Sequence, residues 1–138
     1  MNDAGADLQA ILQASFAQQA EDYTAVLQQA VELAAGCERG ESIDDRLHAM
    51  LAQLQAISEQ QAGLAALKRQ WEQMGRPADA GLRRTMERVA ALIRQVGRQI
   101  QIIDAAARRQ RDQLAVEIDV CNRQRQMQRA YLTNQRKS

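Results

Sequence analysis

The chain has 138 residues, 46% of them hydrophobic but only four aromatic, with one proline, one histidine and two cysteines. Two cysteines do not make a disulfide framework, no run approaches the roughly 18 apolar residues of a membrane span, and a net charge of +1 weighs against a polyanion-binding domain. That charge is unevenly spread: residues 1–45 carry nine acids against Arg39, a net of −8, whereas residues 76–138 carry fourteen bases against six acids, a net of +8.

The first helix is predicted from about Asp7, a plausible cap, to about Ala35, with Leu8, Ile11, Leu12, Phe16, Ala20, Tyr23, Leu27, Ala30 and Ala34 at helical spacing. Gly36–Gly40 is a short linker, and Gly36 stands where a left-handed helix terminus is expected. A second helix over about 43–74 begins with Ser42 followed three residues later by Asp45, a capping box with the shorter acid. Its seam is Ile43, Leu47, Met50, Leu54, Ile57, Gln61, Leu64 and Trp71, and Gly75-Arg76-Pro77 closes it in a reversal. The third helix, about 78–132, carries Leu82, Met86, Val89, Ile93, Val96, Ile100, Ile103, Ala107, Gln110 and Leu114 at alternating steps of four and three, a heptad seam. Gly81 falls in its first turns, where it would relieve crowding near Trp71.

These elements give an all-α protein, read as a single domain over residues 1–138. The architecture is an elongated antiparallel hairpin or three-helix coiled-coil-like bundle with a long C-terminal helix. A reversal centred on Arg76 sets Leu64 near Val89, Ile57 near Val96 and Met50 near Ile103, so apolar meets apolar at each step. About 25 residues of the third helix then outrun the second. The first helix either extends to cover that overhang or folds back beside the hairpin. In either place its acids would face the bases of the third helix.

Catalytic chemistry finds no support. His48 has no acidic or nucleophilic partner at motif spacing, and nothing matches a phosphate loop, a nucleophile elbow or a zinc signature. Cys37, His48 and Cys121 would have to converge from distant positions to hold a metal. No enzyme activity, cofactor or metal is expected. The tail bases Arg123, Arg125, Arg129, Arg136 and Lys137, with Tyr131 as a stacking residue, raise nucleic-acid binding. Alternation with Gln and the absence of an aromatic platform favour a solvated or internally paired face instead. Gln61 and Gln110, at seam positions, either set register or mark wet points of a loose interface. Trp71, Met74 and Met86 around the reversal read as tip packing ahead of a binding surface.

At the far end, Leu114, Ile118, Cys121, Met127, Tyr131 and Leu132 form an apolar stripe with no internal partner in view. Such a stripe marks an interaction site. It reads as a partner-binding face for a protein helix or for a second copy of the chain, with no membrane insertion. Without a basic n-region and apolar stretch at Met1-Asn2-Asp3-Ala4, a cytoplasmic location is expected.

A small helical hairpin with Gly75-Arg76-Pro77 at its reversal and Gln126-Met127-Gln128-Arg129-Ala130-Tyr131-Leu132 ending its last helix resembles the flagellar and type III secretion export chaperones. It is similar as well to the coiled-coil stalk components of the same machines. The resemblance covers about Ile43 to Leu132. It implies a non-enzymatic adaptor or chaperone whose partner is an export substrate or an apparatus subunit. A self-associating structural coiled-coil protein is the other expectation.

Overall fold

The computed structural model describes residues 4–75 and 77–136, with side chains followed to Asn134; Arg76, Lys137 and the side chain of Arg136 lie outside the described residues. Three helices account for all secondary structure among the described residues: α1 (Ala4–Glu38), α2 (Asp44–Gln73) and α3 (Ala80–Arg136). The protein is all-α. It divides into two compact units, Met1–Ile103 and Asp104–Ser138.

The larger unit is a three-helix bundle in which α1 folds back beside the α2–α3 hairpin. Gln9 at one end of α1 donates to the Asp79 carboxylate and Gln13 donates to the Thr85 hydroxyl at 2.8 Å. At the other end the Cys37 sulfur lies 4.0 Å from the Ile103 carbonyl oxygen, a weak thiol contact. α1 therefore runs parallel to the first half of α3 and antiparallel to α2. Acid and base were expected to meet in this arrangement. Among the described residues, however, no ion pair joins α1 to α3; the larger unit pairs Arg39 and Arg46 with Glu41, and Lys68 with Glu72. Amide and hydroxyl groups, not charges, connect the two helices.

The ends of the helices differ from expectation in four places. α1 starts by Ala4, so Asp7 lies in its first turn, where a carboxylate favours the helix dipole without capping it. It runs on through Gly36, and Gly40 takes the left-handed conformation with φ of 77°. The Glu41 N–H donates to the Gly36 carbonyl at 3.0 Å and the Gly40 N–H to the Cys37 carbonyl at 3.1 Å, the paired bonds of a Schellman terminus. Gly36 has another use: a Cβ there would stand 3.0 Å from Glu41 Oε2 and 3.6 Å from Ile43 Cγ2. Its bare backbone lets the chain enter α2 close to α1.

The capping box at Ser42 does not form. Ile43 occupies the cap position of α2 with no side-chain cap bond, and its own side chain is buried. Burying Ile43 sets the entry of the helix one residue later than the polar pattern implied. Asp79 supplies the cap that α3 needs, its Oδ1 accepting from the Leu82 N–H at 2.7 Å. A Cβ on Gly81 would meet only that same oxygen, at an ordinary contact distance of 3.4 Å, so crowding by Trp71 does not account for the glycine. Gly75 closes α2 with φ of 69°, as its place before Pro77 implied.

The core follows a seven-residue period. Ile43 at the cap of α2 and Met50, Ile57, Leu64 and Trp71 along it are buried, and on α3 Leu82, Val89, Val96 and Ile103 repeat at the same interval with Leu92 beside them. Ile93, assigned to the seam by its spacing, is exposed. With α1 packed alongside, the buried face of α3 is centred nearer Leu92. At the closed end Trp71 packs with Leu8, Leu12, Leu64 and Leu82, and Met86 leans on the same cluster while Met74 faces solvent. Midway, the half-buried Gln61 donates to the Tyr23 hydroxyl at 2.8 Å. Gln61 thus ties α2 to α1 at a single register.

Two outcomes test this core. Met50 is fully buried, and Met50→Ala should cost about 2–5 kcal/mol by urea unfolding; a loss under about 0.5 kcal/mol would remove it from the core. Burial pushes the Tyr23 phenol above its ordinary value near 10, with the Gln61 bond opposing. A group raised in the folded state contributes stability that is complete below its unfolded pKa and lost as pH rises through the folded one. The melting temperature should therefore fall above about pH 10, and Tyr23→Phe should flatten that fall while lowering stability at neutral pH by about 1 kcal/mol.

Candidate partner-binding surface

Every described residue from Arg108 to Asn134 is exposed. This stretch of α3 makes up most of the smaller unit, and it is helical throughout. Helix formation in isolation is marginal in water, because most helical stability comes from packing an apolar face. Local support comes from two ion pairs, each between residues one turn apart: Asp104 with Arg108 at 3.1 Å and Asp119 with Arg123 at 3.3 Å. Exposed pairs of this kind contribute about 0.3–0.5 kcal/mol each.

All six residues of the sequence-derived stripe lie here and are exposed, Ile118 at 53% and Met127 at 71%. The helix does not bring them together on one face. At 3.6 residues per turn, Leu114, Ile118, Cys121 and Leu132 share one ridge. Met127 and Tyr131 lie on a second ridge about 130° around the helix, in company with Val116 and Val120, which are also exposed. Val116 and Val120 escaped the sequence reading because Leu114, Val116, Ile118 and Val120 alternate at every second residue. A walk in steps of four and three through that run picks one ridge and drops the other. Arg125 interrupts the first ridge between Cys121 and Leu132, and Arg123 interrupts the second between Val120 and Met127.

Arg123, Arg125 and Arg129 do not align. By helical geometry Arg123 stands well over 100° from the other two, and its guanidinium is held by Asp119. The three bases make no continuous stripe along which a phosphate backbone could run.

The residues considered for chemistry lie apart. His48 is exposed, its Nδ1 2.8 Å from the Asp44 carbonyl oxygen of its own helix. Cys37 is buried at the end of α1, and Cys121 is exposed on α3. Among the described residues no group of three or more His, Cys, Asp or Glu side chains is placed to hold a metal, and no helix is long and apolar enough to cross a membrane. In the α1–α2 connection the hydrogen bond from Arg39, and then its charge, hold Glu41 below the usual carboxylate range. This pair is exposed and organises the loop.

The larger unit has its own surface relief. A row of depressions follows the line where α1 meets α2, of about 450, 250 and 240 Å³ in order from the Trp71 end. Gln19, on α1, lines the first of them; it is only 4% exposed, and its Oε1 has no hydrogen-bond donor.

Comparison with protein-family models, curated proteins and solved structures finds no match.

The two thiols report directly on this placement. Under native conditions Cys121 should react with a maleimide at the rate of a free exposed thiol, and Cys37 should react only on unfolding. Mass spectrometry of the singly labelled protein checks it. Label at Cys37 before denaturation would mean that the α1 terminus opens readily.

Proposed function

We propose that the protein is a non-enzymatic helical adaptor of the cytoplasm that docks a partner helix against the last third of the chain, the exposed C-terminal half of α3. One observation carries this reading: a continuous stretch of helix from Arg108 to Asn134 is exposed, with Leu114, Val116, Ile118, Val120, Met127, Tyr131 and Leu132 all open to solvent. An apolar surface of that extent on a helix is the signature of the helix-packing mode of recognition. The similarity to flagellar and type III export chaperones gives the partner a class, a helix of an export substrate or of an apparatus subunit. In this reading the three-helix unit is the platform and the exposed helix is the docking element.

The two ridges favour a partner that contacts the helix on more than one side, such as a helical hairpin or a groove between helices. A single partner helix would cover one ridge and leave the other in water.

Ile118→Asp should leave helicity intact and change unfolding stability by less than about 0.5 kcal/mol, the usual range for an exposed site. Partner affinity should fall at least about 30-fold, the loss of an interface hot spot. Gln126→Asp, on the polar side of the same helix, is the control. Affinity capture from the source organism's lysate with wild type and both variants reads the outcome. The same proteins held equally by all three would overturn the docking role.

A further inference from the structure

We propose that the groove between α1 and α2 is a second docking site, and that its occupant is the exposed C-terminal part of α3 from another copy of the chain. This rests on the reading of that helix as a docking element and names its partner.

The depressions form one line. The first is lined by Ala14, Gln18 and Gln19 of α1 with Gly63 and Leu67 of α2; the second by Asp22 and Ala25 with Gln53 and Ala56; the third by Glu32 and Leu33 with Arg46 and Ala49. Ala14 to Leu33 spans about 30 Å at 1.5 Å per residue. Ala49, Ala56 and Gly63 recur every seven residues on the α2 wall, so small side chains keep it open along its length.

Two features have no use within the unit itself. Gly63 sits mid-helix, where glycine is disfavoured, yet a Cβ there would meet nothing within 4 Å. Packing inside the chain does not require it; room for an incoming helix does. Gln19 is buried and its Oε1 lacks a donor, whereas buried polar atoms are as a rule hydrogen-bonded. A guanidinium or amide N–H entering the groove would satisfy it.

Charge selects the occupant. Asp22 and Glu32 line the groove with Glu21 beside them, and among the described residues none of the three is in an ion pair within 4 Å. The basic residue of the wall, Arg46, is engaged with Glu41 at 3.7 Å. The exposed stretch of α3 after Asp119 has no acid and carries Arg123, Arg125 and Arg129 between its apolar residues. It is about 40 Å long from Arg108 to Asn134, enough to fill the groove. Seated there, it becomes the fourth helix of a bundle, its Leu114, Ile118 and Cys121 ridge against the alanines and Arg125 and Arg129, on and beside that ridge, toward the acids, while Arg123 stays with Asp119 on the far side. Because groove and occupant are different surfaces, the contact is heterologous and either closes reciprocally in a pair or propagates.

Sedimentation of the full chain at rising concentration tests it. Wild type should exceed its monomer mass of 15.4 kDa, and raising NaCl from about 50 to about 500 mM should weaken association at least tenfold. Gly63→Leu should remain at the monomer mass with an unchanged or higher melting temperature, because it fills the groove without touching the core. The doubly substituted Asp22→Lys/Glu32→Lys and Arg125→Glu/Arg129→Glu chains should each be monomeric alone and associate when mixed. A wild-type chain that stays monomeric at every concentration, a Gly63→Leu chain that assembles like wild type, or a mixture that fails to associate would each overturn the proposal. A monomeric wild type that still loses a captured partner on Ile118→Asp would overturn second-copy docking alone and leave the adaptor role standing. Ile118→Asp behaving as wild type in both assays would remove the docking helix and with it both readings.

Discussion

Ile43 at the cap of α2 and Met50, Ile57, Leu64 and Trp71 along it are the constraint on which the larger unit depends. They recur at seven residues, two turns apart, and between them α2 shows mainly Ala, Gln and charge. A helix that buries one residue in seven makes a narrow contact. It must be held from both sides to be held at all, and α1 and α3 supply those sides. The narrowness also leaves α2 uncovered on either flank, which is why a long shallow groove exists beside α1.

Register is set by polar groups at a few places. Asp79 does two things at once, capping α3 through the Leu82 N–H and accepting from Gln9 of α1. The start of the third helix and the start of the first are thereby fixed to each other. Gln61 and Tyr23 repeat the device at mid-height between α1 and α2. At the far end Gly36 lets the α1–α2 connection turn back at close range, and Gly40 ends α1 with a positive φ. With both connections short, the bundle has little freedom to repack. The arrangement costs something at Trp71, whose buried indole N–H has no acceptor.

The smaller unit has the opposite character. None of its described residues beyond Ala107 is buried, and its helix relies on local ion pairs and on the good intrinsic propensity of Ala, Arg and Gln. A helix held by such local terms alone is marginal in water. The proposed functions share this premise: an exposed amphipathic helix, basic toward its end, seeks a groove, and the chain itself carries an acidic one.

Much of this was legible in residue order alone. Helical class, three helices, the reversal before Pro77 and an exposed far end of the third helix follow from apolar spacing of three and four, from Gly and Pro placement, and from the excess length of the last helix. Such local signals are strong because each helix satisfies its own backbone. The six stripe residues were found by the same spacing, but the division into two ridges was not, because Leu114-Ala115-Val116-Glu117-Ile118-Asp119-Val120 fits two periods equally well until the helix is built. Other features needed the tertiary structure. The side on which α1 lies was undetermined by charge, since acid beside base is satisfied in either place, and it was decided by Leu8 and Leu12 packing on Trp71 and by the amide contacts of Gln9 and Gln13. That choice moved Ile93 out of the core and Leu92 into it, displaced the start of α2 from Ser42 to Ile43, and made the groove in which Gln19 and Gly63 stand. A groove is a property of two helices at a given separation, and sequence spacing describes only one helix at a time.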